Sequence, residues 1–195
     1  MLRDWLWLLA FSGASFALDC HPNIDVKQKQ FIVGYGSLIL ESSKYSTCRN
    51  IVGNKPIWLK GYQRGWFAHG LWHNGKPTTF LGLKHDLTAE PVNAVYFQVK
   101  ELKQLFLFDA REKWYCRELV SSKQLKVLSG KKAPAGQYWV YVQQRKHFGT
   151  PDAHHPVYPE YVGIFMLGCY QIEKQYHIPG FALQCLQHTY HWPQL

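Results

Sequence analysis

The sequence predicts a single α+β domain, and three observations carry that reading. Short apolar runs rich in β-branched and aromatic residues recur from Phe31 to Val142. Longer apolar-periodic stretches suited to helices lie around them. No internal repeat, low-complexity tract or long linker divides the 195 residues, a length close to one ordinary domain. Apolar residues make up 47% and charged residues 18%, enough to bury a core and to exclude disorder as the main state.

The elements follow in order. Phe31-Ile32-Val33 reads as a buried strand that runs into a glycine turn at Gly34-Tyr35-Gly36-Ser37. Ile57-Trp58-Leu59 and Gly65-Trp66-Phe67 read as strand pieces broken at Lys60-Gly61. Thr78 to Leu83 and Val92 to Val99 follow as strands, the second with partial alternation. From Glu101 to Glu112 the apolar positions Leu102, Leu105, Phe106 and Phe108 carry a helix signal. Tyr115 to Val120 is strand-like, then comes a Lys/Gly/Pro loop at Gly130–Gly136, and Tyr138 to Val142 has strong β propensity. After a polar loop with Gly149, Pro151 and Pro156, Pro159 opens a largely buried helix to about Lys174. Pro179-Gly180 breaks the chain before a last short helix at Phe181–His188.

The amino terminus has the pattern of a secretory signal. Arg3 precedes an apolar run from Trp5 to Leu18, 14 residues long, whereas a membrane-spanning helix needs ~20. Ser15 and Ala17 stand at −3 and −1 of a cut after Ala17. The expected organisation is a signal peptide at 1–17, a lead-in at 18–30 and one domain at 31–195. The product is then exported, periplasmic or secreted, without a stable membrane anchor. A helix of the domain core is the competing reading of 1–17.

The net charge of +9 favours anionic partners or surfaces and says nothing about fold. No RNP-like or Lys/Arg-dense motif accompanies it, so no nucleic-acid partner is expected. The five cysteines, Cys20, Cys48, Cys116, Cys169 and Cys185, form no C-x-x-C, which excludes a zinc ribbon or a thioredoxin-type motif. At most two bridges form in an oxidising compartment, and the pairing stays open.

Two segments carry chemistry. In Gly34-Tyr35-Gly36-Ser37-Leu38 the glycines allow close backbone approach, so successive N–H groups can cup a carboxylate or a developing oxyanion. No Gly-Lys-Ser/Thr follows, so this is not a P-loop. A plain strand-end turn is the alternative. In Asp109-Ala110-Arg111-Glu112-Lys113-Trp114-Tyr115, Glu112 ends the helix beside an aromatic-rich strand. Aromatic walls strip hydration from a carboxylate, raise its pKa and suit it to general acid-base work. The alternative is a solvated charge paired with Arg111 or Lys113.

Together these segments resemble the γ-glutamylcyclotransferase-like family. Gly34-Tyr35-Gly36-Ser37-Leu38-Ile39, with Ser43-Lys44 and Thr47, is similar to its Y-G-S-L-I…S-R…T opening. Gly61 to Trp66 resembles G-x-x-R-G-W, and Val92 to Phe97 resembles V-N-G-V-x-F with Ala94 in place of Gly. Asp109 to Tyr115 resembles D-x-R-E-x-x-Y, and Tyr161 to Cys169 the carboxy-terminal Y-V-x-x-x-L-x-G-C helix. Lys44 departs from the usual Arg, keeping the charge but losing the planar fork.

The resemblance implies a small mixed β-barrel with surrounding helices. It implies release of 5-oxoproline from a γ-glutamyl amine, amino acid or peptide. Glu112 would be the catalytic acid/base. Tyr35, Gly36, Ser37 and Leu38 would bind the glutamyl head, Tyr115 would offer its hydroxyl to the substrate carboxylate, and Tyr161 would wall the pocket. The nucleophile belongs to the substrate, so neither cofactor nor metal is implied. An exported module that binds γ-glutamyl or carboxylate ligands with little turnover is the competing reading.

Two further positions read as structural. His154-His155 lies beside Asp152 in a loop, but adjacent side chains diverge and no third ligand is spaced to join them. Cys116 should face away from Tyr115 in a strand, as a core thiol rather than a nucleophile.

Overall fold

The computed structural model describes residues 20–193. The expected signal segment at 1–17 and the first residues of the lead-in lie outside the described residues. Nine strands and four α-helices appear among those described. They are β1 (Gln30–Gly34), α1 (Glu41–Tyr45), β2 (Lys55–Leu59), β3 (Tyr62–Leu71), β4 (Pro77–His85), β5 (Val92–Val99), α2 (Leu102–Arg111), β6 (Tyr115–Val120), β7 (Leu125–Val127), β8 (Gln137–Gln143), α3 (Pro159–Tyr176), α4 (Phe181–Gln187) and β9 (Thr189–Tyr190). None of these helices is long and apolar enough to cross a membrane.

The α+β class is as expected, and the sheets are mixed. Six strands run in the order β6-β8-β1-β5-β2-β7 and three in the order β4-β3-β9. β1 sits inside the larger sheet, antiparallel to β5 and parallel to β8. The backbone ladders end at β6 and β7 instead of closing on themselves. Between the sheets a side chain takes over: Gln143 of β8 accepts from Leu83 N at 2.9 Å and donates to Leu83 O at 2.8 Å in β4. A buried amide that mimics a strand partner satisfies both groups where no ladder reaches.

Burial explains the near-continuous apolar runs. β1 is buried along its whole length, flanked on both sides and covered on both faces. Phe31 stacks on Tyr138 with centroids 4.6 Å apart, two strands held by one aromatic pair. The break at Lys60-Gly61 is real, with Gly61 at φ 85°, a left-handed conformation that turns β2 into β3. α2 opens on a capping box of Glu101 with Gln104, and Pro159 opens α3. Gly168 of α3 lies against the chain after the turn, where a Cβ would come within 2.7 Å of Leu40 N.

Arg64 of β3 is buried completely and still makes five hydrogen bonds. It donates to Tyr35 O at 3.2 Å, to Asn93 O and Oδ1 at 2.8 Å each, to Cys185 O and to Thr189 Oγ1. Burial pushes its pKa down to about 9. This one guanidinium ties the end of β1 to β5 and α4, the kind of multiple donation that makes a buried charge tolerable.

Two disulfides form, the maximum expected. Cys20–Cys116 fastens the lead-in to β6, and Cys169–Cys185 joins α3 to α4, leaving Cys48 unbridged. Cys116 does face away from Tyr115, but it is a half-buried bridge partner and not a core thiol. The alternation of β6 aims it outward, at the lead-in strapped across that face.

Candidate active site

The turn after β1 is built from what its glycines omit. A Cβ on Gly34 would come within 2.8 Å of Leu38 Cβ, and one on Gly36 within 3.2 Å of the Tyr161 hydroxyl. The chain therefore folds tightly into a single 3₁₀ turn, Ser37–Ile39. Ile39 and Leu40 donate their amides back to Gly36 O and Ser37 O. The amides of Gly36, Ser37 and Leu38 donate to no protein group among the described residues, which leaves a run of N–H groups at a strand end.

Those groups face a small cavity. Its lining comprises Val33 to Leu38, Leu81, Glu112, Tyr115, Tyr141 and Tyr161. The fold thus brings Tyr35, Gly36, Ser37, Leu38, Glu112, Tyr115 and Tyr161, far apart in sequence, around one space. Tyr141 and Leu81 join them without having been singled out in the sequence. Tyr141 was legible only as one of several alternating aromatics in β8.

Glu112 caps the carboxy end of α2, donating its amide to Phe108 O and accepting Tyr115 N–H at 2.8 Å. Its side chain is 15% exposed. Burial raises its pKa above the ordinary value, and the adjacent Arg111 charge pulls the other way. The carboxylate is desolvated rather than the solvated charge of the alternative reading, yet it keeps that reading's partner, with Arg111 Nε 3.1 Å from its Oε1.

Arg111 does more than neutralise. Its terminal nitrogens donate to Ser43 O at 2.6 Å, Thr47 Oγ1 at 2.8 Å, Ser43 Oγ at 2.9 Å and Ser37 Oγ at 3.1 Å. One planar fork holds the glycine turn, α1 and the carboxylate in fixed relation. Lys44, by contrast, is buried away from the cavity. It donates to Asn54 Oδ1 at 2.8 Å and Val52 O at 3.1 Å, and lies 4.7 Å from the Phe97 ring.

Four tyrosines complete the wall. The Tyr35 hydroxyl donates to Tyr141 O at 2.6 Å, and the Tyr141 hydroxyl donates to Asp109 Oδ1 at 2.7 Å. Asp109 also pairs with buried Arg117, which donates to Pro22 O in the lead-in. The Tyr115 hydroxyl donates to Leu81 O at 2.8 Å. Its proton is therefore engaged, contrary to the expectation that it stands available to a substrate carboxylate. Burial pushes the Tyr161 pKa up to about 12, and the nearby Glu112 charge acts in the same direction.

The cavity opens into a larger groove. Ser42, Ser43, Ser46, Thr47, Trp72, His73, Phe80, Arg111 and Trp114 line it, with Ser37, Glu112, Tyr115 and Tyr161 shared between groove and cavity. A second cluster lies apart from it. The loop carrying Asp152 and His155 is brought against His69 of β3, so a third metal-type side chain does join them, contrary to the sequence expectation. Eighty-odd residues separate His69 from that loop, a distance at which no spacing signal exists.

No family model matches the chain, and no curated protein matches it in sequence. Solved structures do match. One described as a gamma-glutamyl cyclotransferase superposes with a TM-score of 0.63 at 13% identity, covering 86% of this chain and 90% of its own. A yeast gamma-glutamyl cyclotransferase described as specific to glutathione gives 0.53 at 14% identity, covering 86% and 100%. The fold is the one these two cyclotransferases share. An uncharacterized human protein has it too, at TM-score 0.59 and 13% identity over 86% and 93%. In this γ-glutamyl cyclotransferase fold, the end of β1, the end of α2 and the start of α3 converge on the cavity described above.

Proposed function

We propose that this chain is a γ-glutamyl cyclotransferase-type enzyme that releases 5-oxoproline from a γ-glutamyl amine, amino acid or peptide. The observation that carries the reading is Glu112: a desolvated carboxylate with a raised pKa, in one small cavity with the unpaired amides of Gly36, Ser37 and Leu38.

The chemistry follows from that pairing. The α-nitrogen of the substrate attacks its own γ-carbonyl carbon, closing a five-membered ring. Starting from the ammonium, that nitrogen loses two protons, and the leaving nitrogen gains two as it departs as an ammonium. In this reading the one carboxylate of Glu112 takes a proton from the first nitrogen and returns it to the second. The carbonyl oxygen turns negative when the new C–N bond forms, and the turn amides are donors for it. When the old C–N bond breaks, the oxygen's electron pair re-forms the carbonyl, the second proton passes to the leaving nitrogen by the same route, and the carboxylate is regenerated. The groove beyond Glu112 has room for the leaving amine.

Export is part of the proposal. Cys20–Cys116 and Cys169–Cys185 support it, because disulfides persist in oxidising compartments and are rare in reducing ones.

The test is incubation with a panel of γ-glutamyl amines, dipeptides and glutathione, assayed for 5-oxoproline by mass spectrometry. Glu112→Gln runs beside it and should lose on the order of 10²-fold or more. Near-normal turnover in that variant overturns the mechanism. Binding without product from any substrate replaces the enzyme by a binding module.

A further inference from the structure

We propose that His69, Asp152 and His155 form a binding site for a borderline divalent metal ion of the Zn²⁺ class, which clips the 149–156 loop onto β3. The three side chains each present a ligand atom within 4.8 Å of the other two. Two imidazoles and one carboxylate suit Zn²⁺, Co²⁺, Ni²⁺ or Cu²⁺, whereas Ca²⁺ and Mg²⁺ ask for oxygen throughout.

The seat is held from several sides. Gly149 lies so close to the His69 ring that a Cβ there would come within 2.3 Å of it, and Gly149 N donates to Phe67 O at 2.9 Å. Thr150 O lies 2.8 Å from His69 Nε2. A backbone carbonyl on one ring nitrogen is how metal-ligating histidines fix the tautomer and aim of the other. Asp152 Oδ1 accepts the amides of His154 and His155 at 2.8 and 2.6 Å, which orients the carboxylate. Behind His155, Thr79 Oγ1 donates to His155 O, and Thr78 Oγ1 and Thr79 N donate to Pro156 O. A loop held by β3 and β4 in this way keeps the three ligand side chains near one another before the ion arrives.

The rings define the one movement that binding requires. His69 and His155 stack at 3.9 Å with planes 7° apart. A metal ion lies in the plane of each imidazole that ligates it, so two parallel rings cannot share one. His155 is the ring that turns, giving up its 3.3 Å contact with Asp152 Oδ1. The ion then replaces a stack of two imidazoles by two bonds.

The experiment titrates the full chain, purified without a histidine tag and stripped with chelator, with ZnCl₂ by calorimetry. Expected is one Zn²⁺ per chain. Affinity should drop at least about tenfold in His69→Ala, His155→Ala and Asp152→Asn, while His154→Ala, whose side chain is not in the cluster, binds as the native chain does. Zn²⁺ should also raise the thermal midpoint of the native chain but not that of His155→Ala. Should His69→Ala fail to fold, the two loop variants decide the matter. No saturable binding, unchanged affinity in those variants, or an equal loss in His154→Ala overturns the site.

Discussion

Arg111 and Glu112 are neighbours in the chain whose side chains meet, Nε to Oε1, at 3.1 Å. Consecutive residues inside a helix diverge; these two converge because α2 ends between them and Glu112 leaves helical geometry at φ −87° and ψ 39°. The arginine and the carboxylate therefore act on one another while Arg111 also grips the glycine turn.

Arg111→Met removes the charge that opposes the effect of burial on Glu112. The Glu112 pKa rises further, so the acidic limb of the kcat/KM profile moves to higher pH. Loss of charge-assisted hydrogen bonds to Ser37 and Ser43 should also lower kcat/KM by about tenfold or more at neutral pH. A pH profile whose acidic limb stays in place contradicts the coupling.

Glu112→Gln should unfold at a higher denaturant concentration than the native chain at neutral pH. A carboxyl whose pKa is raised on folding binds its proton more tightly folded than unfolded. Its contribution to stability is present below the ordinary value of 4.5 and is lost as pH rises through the raised value. The variant has no such loss. Urea unfolding at several pH values measures it, and equal midpoints across that window count against a desolvated carboxylate.

Asp109→Asn keeps an acceptor for the Tyr141 hydroxyl but withdraws the charge that faces Arg117, whose side chain is 2% exposed. An uncompensated buried guanidinium costs about 3–5 kcal/mol. Chemical denaturation should show a loss in that range, together with a higher KM, since the chain Asp109–Tyr141–Tyr35 positions the cavity wall. A loss below about 1 kcal/mol, the size of an exposed ion pair, would show that Arg117 does not depend on it.

Lys44 gives a second pH signature. Burial pushes its pKa down to about 8 from 10.5, so the unfolded chain binds a proton there that the folded chain does not. Stability should rise with pH from about 8 to about 10. Above that, buried Tyr35 and Tyr115, raised well beyond 10.0, act in the opposite sense. In Lys44→Met the rise should disappear, alongside a general loss of stability from the unpaired Asn54 and Val52 carbonyls.

The strands were legible where burial leaves a local mark. Val92–Val99 and Tyr115–Val120 have the bounds their sequences suggest, because apolar and β-branched residues fill buried ladders. β7 and β9 were not legible: Leu125–Val127 and Thr189–Tyr190 are too short to show a period, and pairing with β2 and β3 alone makes them strands. Glu112 and the glycine turn could be read from their residue types. The engagement of the Tyr115 hydroxyl by Leu81 O, the grip of Arg111 and the approach of His69 to His155 are tertiary facts, with 34, 68 and 86 positions between the partners.

The placement of β1 sets the order in which the molecule can become competent. Gln30 lies beside Gln137, 107 positions later, and Val33 pairs with Val140. A pairing so distant closes a large loop and forms slowly. A chain emerging from its amino end has the turn amides early but lacks the strand that holds β1 flat and the tyrosine that walls the cavity. The cavity is therefore walled only after β8 and α3 have joined the segment that carries the turn.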